Sequence, residues 1–293
     1  MATLYDNVSS NNRKAFFLIF FFLLFVILIG WVFSYVFNET GILYFAVGFS
    51  ILMSFISYFN SDKVILTMTG AHEIGKSDNP ELYRIVENLA ITTGMPLPKI
   101  YILDEMQPNA FATGRDEKHA MVAVTRGLLQ KLDKRELEAV IAHEIAHIKG
   151  KDILIGSVVV VLVGIISILS DIFLRSLYFG GNDNDNKNNP LIIVLAIVGM
   201  ILAPIAATII KLAISRKQEF RADANGALLT RDPDALVSAL IKISSDKTPL
   251  QRVDNTTAHL YISSPFKQKA SFISKLFMTH PPIEERINAL RQI

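Results

Sequence analysis

The chain contains no cysteine. That excludes disulfides and every metal site built on thiolates. Charged residues are also scarce. They make up 19% of the 293 residues, where a soluble domain carries about a quarter. The deficit points to membrane segments rather than to an outsized core. The net charge is only +2, and no basic stripe with interleaved aromatics runs along the chain, so nucleic acid is not an expected partner. Histidine is rare, with six in all.

Two of those six fall in His143-Glu144-Ile145-Ala146-His147. On a helix, residues four apart stand one turn above one another on the same face. Two imidazoles can then bind one zinc ion from a single rigid element. Glu144, beside the first ligand, is placed to act as general base on the metal's water. This is the arrangement of a zinc metallopeptidase. The competing reading is a helix with two incidental histidines, and the flanks weigh against it. Asp133 and Glu136 have capping-box spacing, Leu137, Val140 and Ile141 are apolar at helical spacing, and Gly150 is placed to end the helix. Ala139, Ala142 and Ala146 are small enough to let other elements pack close. By contrast, His72-Glu73-Ile74-Gly75 starts like the motif, but position 76 is Lys. Lysine offers no second neutral nitrogen, so His72 reads as an incidental residue in a surface loop.

Four stretches are long enough to span a bilayer, which takes about 20 apolar residues. They are Ala15–Phe37, Gly41–Phe59, Ile153–Leu174 and Leu191–Ala213. The first is too long for a cleaved signal peptide. For the last two, a buried hairpin, or one that enters the bilayer without crossing it, is the alternative. Arg13 and Lys14 precede the first stretch, the turn Asn38-Glu39-Thr40 has no basic residue, and residues 60–152 and 214–293 are rich in Lys and Arg. By the positive-inside rule the N-terminus and both polar regions face the cytoplasm. The histidine motif precedes the third stretch, so a two-stretch hairpin returns the chain to the same side.

Catalytic zinc usually has three protein ligands plus water. The third must be a carboxylate or another histidine downstream. The best source is Ser215–Ala224, where Glu219 and Asp223 are four apart and share a helix face. Glu219 is a candidate ligand. Asp223 is a candidate acceptor for the far N–H of a zinc-bound histidine. The alternative is a solvated charged face, but Phe220, Ala222, Ala224 and Ala227 suggest partial burial. Arg216 and Arg221 are candidate partners for site carboxylates.

At these residues the chain resembles the membrane-bound zinc metallopeptidases typified by the bacterial heat-shock protease HtpX, relatives of the eukaryotic CaaX prenyl protease. The likeness runs through Asn79-Pro80-Glu81-Leu82-Tyr83, Pro108 to Gly114, His143 to His147, Ser215 to Asp223, and Thr279-His280-Pro281-Pro282. It implies one zinc per subunit, held by His143, His147 and Glu219, with Glu144 as the catalytic glutamate and Asp223 on a Glu-x-x-x-Asp pattern. It implies a multi-pass protein of the bacterial plasma membrane, with misfolded or damaged membrane proteins as substrates in stress quality control and self-cleavage as a further activity.

The expected fold is a mainly α membrane protein with about four transmembrane helices and a cytoplasmic α+β zincin-like (gluzincin) domain. Residues 1–59 hold the first two membrane helices, 60–152 the first part of the catalytic domain, 153–213 a membrane hairpin and 214–293 the second part. Pro80 starts an amphipathic helix with Leu82, Ile85, Val86 and Leu89 on its apolar stripe. Lys99–Leu103, Asn109–Gly114 and Ala120–Val124 suggest a small antiparallel sheet. The strand at Asn109–Thr113 is a candidate edge for pairing with an extended substrate, against an ordinary loop. Helices are expected at Asp232–Ser245 and Ile283–Gln292, with a mobile loop over 246–272. His280, ahead of two prolines, either stabilises the oxyanion on the scissile carbonyl or caps a helix. His119 and His259 read as surface residues.

Two rivals to the endopeptidase reading stand. A prenyl-protein (CaaX-type) protease shares the zinc site but carries more membrane segments. A non-catalytic membrane metal-binding scaffold or transporter would place several ionisable groups within its spans. Of the carboxylates and histidines, only Asp171 lies in one, near its end.

Overall fold

The computed structural model describes residues 4–180, 216–249, 256–257, 260–262 and 281–292. The expectations for Leu191–Ala213, His259 and His280, and for most of 246–272, lie outside these residues. Two apolar helices come first, α1 (Leu4–Phe37) and α2 (Gly41–Phe59). Asn38 turns the chain between them in the left-handed conformation, at φ 53°, which asparagine tolerates better than most residues. Arg13–Tyr35 and Gly41–Phe59 are, among the described residues, the two helices long and apolar enough to cross a membrane. Their outer faces expose Phe16, Phe21, Trp31, Tyr44, Phe45 and Phe55, a surface suited to lipid and not to water. Their inner faces meet where Gly30 approaches Ala46.

After α3 (Ser61–Thr69) the chain enters the polar region: β1 (His72–Glu73), α4 (Pro80–Thr93), β2 (Lys99–Leu103), β3 (Ala110–Thr113) and β4 (Met121–Thr125). Asn79 caps α4 by accepting from the Leu82 amide, with Pro80 in the first turn. Then come α5 (Arg126–Lys131), α6 (Lys134–Lys149), α7 (Asp152–Gly180), α8 (Arg216–Thr230), α9 (Pro233–Ser245) and α10 (Ile283–Leu290).

The sheet order is β1-β2-β4-β3, and it is mixed rather than antiparallel. β3 and β4 run antiparallel, with Phe111 opposite Ala123, but β2 and β4 run parallel, with Tyr101 opposite Ala123. Consecutive short strands suggest a meander. Here the connection after β2 carries the chain past the position of β4, so β3 takes the outer edge and β4 slots between. His72 stands not in a loop but in β1, exposed, with its Nε2 2.8 Å from Asp104.

Strand alternation explains the layers. Ile100, Ile102, Ala110, Ala112, Val122 and Val124 join the core beneath α4, α6 and α9. Tyr101, Leu103, Phe111, Met121 and Ala123 face the other way, onto Ile65 of α3 and Val160 of α7. The sheet is thus enclosed on both faces. The first half of α7, expected as a lipid-facing span, is largely buried instead, packed on α1, α2 and this sheet. It bends 83° from α6, and the pair counts as a third span only if the two are taken together.

A Cβ at Gly30 would lie 2.2 Å from the Cβ of Ala46, whereas one at Gly48 would meet nothing within 4 Å. Gly30→Leu is therefore expected to destabilise the detergent-purified protein by about 1–3 kcal/mol through overpacking, and Gly48→Leu to leave the melting temperature nearly unchanged. Equal effects in thermal unfolding would contradict this helix crossing.

Candidate metal centre

Helix α6 carries the histidine pair, and its local sequence fixes it well. The Asp133 side chain accepts from the Glu136 amide and the Glu136 side chain accepts from the Asp133 amide, completing the capping box. Leu137, Val140, Ile141 and Ile145 anchor it in the core. The helix ends at Gly150 as expected, but Gly150 itself is right-handed, and Lys151 takes the left-handed conformation at φ 55°. Gly150 is needed for space. A Cβ there would lie 3.0 Å from Arg221 Nη2 and 3.1 Å from Asp152 Oδ2.

The two imidazoles converge. His143 Nε2 and His147 Nε2 are 3.1 Å apart, and Glu219 Oε1 lies 3.5 Å from the latter. Candidate ligand atoms of His143, His147 and Glu219 all fall within 4.8 Å of one another. Two nitrogens each bound to one tetrahedral zinc ion lie roughly 3.3 Å apart, so the spacing and the N, N, O donor set fit zinc. The outward nitrogens are both occupied. His147 Nδ1 donates to Asp152 Oδ2 at 3.0 Å, and His143 Nδ1 lies 2.9 Å from Asp223 Oδ1, close but poorly aligned for a hydrogen bond. That leaves the Nε2 lone pairs facing inward, as metal ligation requires.

Glu219 reaches the centre because α8 packs on α6 at Gly226, where a Cβ would lie 2.9 Å from the His143 backbone nitrogen. Asp223 and Glu219 stand one and two turns before that contact, on the buried face of α8. Glu144 is also buried. Burial pushes its carboxyl above the usual range, the two histidines pull it down, Glu219 adds to the rise, and a hydrogen bond from the Ala112 amide of β3 pulls it down. For His147, burial disfavours the cation, but the Asp152 hydrogen bond and the charges of Glu219 and Asp152 prevail and raise it to about 9.

Of the other residues expected near the site, Arg221 pairs with Asp152 at 3.0 Å, while Arg216 sits at the surface, 4.0 Å from Glu285. Asn109 is buried immediately before β3, its backbone amide donating to Thr125 Oγ1. His119 is exposed beside Asp116. Sequence reasoning did not single out Asp152 or Arg286. Arg286, in α10, is wholly buried. Its Nε and Nη2 grip both oxygens of Asp223 at 2.8 and 2.6 Å, its Nη1 donates to the Ile262 carbonyl at 3.0 Å, and Nη1 stands 3.6 Å from Glu219 Oε2. An arginine at helical spacing in an amphipathic C-terminal segment gives no sign of this.

Burial would raise the Asp223 carboxyl, but the Arg286 guanidinium outweighs it and holds the pKa at about 2. A depressed carboxylate contributes stability that is present above its unfolded pKa of about 4 and lost as pH falls through the folded value. Unfolding of the metal-free protein should show this loss between about pH 4 and pH 2. Arg286→Met should cost about 3–5 kcal/mol at neutral pH by stranding a buried carboxylate, and should remove that acid-dependent component. A variant as stable as wild type would show that the pair is not load-sharing in the fold.

Known proteins bear on this geometry. Residues 76–293 match Peptidase family M48. A Protease HtpX homolog of Caldanaerobacter subterraneus subsp. tengcongensis is 45% identical over 298 residues, spanning 99% of this chain and 98% of that one. A Protease HtpX homolog of Tropheryma whipplei is 49% identical over 238 residues, 81% of each chain. Among solved structures, S. mikatae Ste24p has a TM-score of 0.50 at 21% identity, spanning 89% of this chain and 62% of that one. That last likeness concerns the fold alone. With three quarters of its length matched to the family and near full-length relatives at this identity, the chain belongs to peptidase family M48 and is a membrane metalloprotease.

Proposed function

We propose that the protein is a zinc endopeptidase whose ligands are His143, His147 and Glu219 and whose general base is Glu144. The observation that carries this is the convergence of two Nε2 lone pairs and a carboxylate on one buried point, with both Nδ1 positions held by carboxylates. A zinc ion bound there would supply Lewis acidity and bring the pKa of a water to about 7. Glu144 takes the proton from the attacking water and later delivers it to the leaving amine. Its raised carboxyl suits a group that must both accept and donate near neutral pH.

The edge strand β3 is the proposed binding site for substrate backbone, beginning at Asn109. The Ala112 amide points to Glu144, which ties this edge to the reacting centre. Ile262 N–H already donates to the Ala110 carbonyl at 3.0 Å, so an incoming strand competes with that segment. Backbone pairing is nearly blind to sequence, which suits damaged or misfolded membrane proteins as substrates. His280 is proposed to aid the oxyanion on the strength of its sequence context.

The catalytic region is proposed to lie in two parts, 60–152 and 214–293, around a membrane hairpin, and to face the cytoplasm. Basic residues flank the near ends of α1 and α2. Asn11, just before the α1 span, bonds to Gly150 and Asp152 beside the centre, which supports the N-terminus and the site sharing one side.

Zinc-loaded wild type in detergent should cleave an unfolded protein, and Glu144→Gln should lose about a hundredfold or more of that rate while keeping its zinc. Equal cleavage by both would refute Glu144 as the base.

A further inference from the structure

Asn11 is 3% exposed and sits two residues before the membrane-crossing part of α1. Its side-chain amide is fully used. Nδ2 donates to the Gly150 carbonyl at 2.9 Å and to Asp152 Oδ1 at 2.7 Å, and Oδ1 accepts from Gln218 Nε2 at 3.0 Å. A flipped amide would set its oxygen against two acceptors, so the orientation is fixed. The same Asp152 oxygen also accepts from Gln218 Nε2 at 2.8 Å and Arg221 Nη2 at 3.0 Å. The other Asp152 oxygen receives His147 Nδ1. One side chain of α1 therefore ties together the end of α6, the start of α7 and the start of α8.

From this geometry we infer that Asn11 is a positioning residue for the metal centre. It aims Asp152, which in turn sets the ring of His147, so the first membrane helix is part of the metal-binding apparatus. The reasoning is directional. Asp152 has two oxygens and must keep one for His147. Asn11 and Gln218 bond the other, Arg221 Nη2 bridges both oxygens at 3.0 and 3.2 Å, and together they stop the carboxylate from rotating. Two of the three donors come from α8 and one from α1, so the full set of hydrogen bonds forms only when the membrane helix is seated on the junction of α6 and α7. This inference rests on the zinc-site reading above.

The test uses the full chain in detergent, stripped of metal, with zinc affinity measured by competition against a chromophoric chelator. Asn11→Ala is expected to weaken zinc binding about tenfold, the lower range for outer-shell partners of metal ligands. Asn11→Asp keeps the shape and the acceptor but replaces the donor with a second carboxylate beside Asp152, and should bind zinc no better than Asn11→Ala. Arg13→Gln, on the exposed side of the same helix, should match wild type. The visible absorption of the cobalt-substituted protein should shift in both Asn11 variants, because the His147 ligand geometry changes. A merely structural role would lower the melting temperature of the metal-free protein and leave zinc affinity and the cobalt spectrum as they are, and that result overturns the inference. Wild type that binds no zinc would overturn the zinc-site reading and this inference with it. Wild type that binds zinc, with Asn11 variants of equal affinity, would overturn this inference alone.

Discussion

The centre depends on which nitrogen of each histidine faces inward, and two carboxylates, one buried and one part-buried, decide it. Asp152 takes the outer proton of His147, and Asp223 stands against the outer nitrogen of His143. With the Nδ1 sides committed, the Nε2 lone pairs have one direction left, toward each other and toward Glu219. Without those carboxylates, either ring could present the wrong tautomer.

Such an arrangement has an electrostatic cost that the surroundings meet. Three buried carboxylates, those of Glu144, Glu219 and Asp223, and the part-buried carboxylate of Asp152 face two guanidinium groups, those of Arg221 and Arg286. A divalent cation held by the proposed ligands would make up the difference. Arg286 holds Asp223 ionised and stands near Glu219, so the C-terminal helix α10 is coupled to a centre built mainly by α6 and α8. Gly226 completes the geometry by letting α8 lie against the backbone of α6.

What was legible in the sequence follows from how local each feature is. The histidine pair, its capping box and the Glu219, Asp223 pair are patterns within one helix, and helical periodicity fixes their faces in advance. The first two membrane helices were legible for the same reason. The parallel pairing of β2 and β4 was not, because strand order depends on contacts between segments that short strands do not encode. Asp152 precedes an apolar stretch, Arg286 stands among other charges in an amphipathic segment and Asn11 lies just before the first apolar stretch, and none of the three belongs to a local pattern that marks it. Asp152 acts across the break between two helices, on a residue 5 positions away, while Arg286 acts on a residue 63 positions away and Asn11 on one 141 positions away. The left-handed turn falls at Lys151, one residue beyond the glycine that marks the helix end.

The membrane is thus joined to the chemistry at two levels, by the packing of α7 on α1 and α2 and by polar contacts at the α6–α7 junction. All of this converges on the identity of the ion and its ligands. X-ray absorption at the zinc edge of the purified full-length protein tests it most directly. The proposed ligand set predicts two imidazole nitrogens and carboxylate or water oxygen at about 2.0–2.1 Å. A zinc ion with one histidine or none, or a protein that retains no zinc at neutral pH, would contradict it.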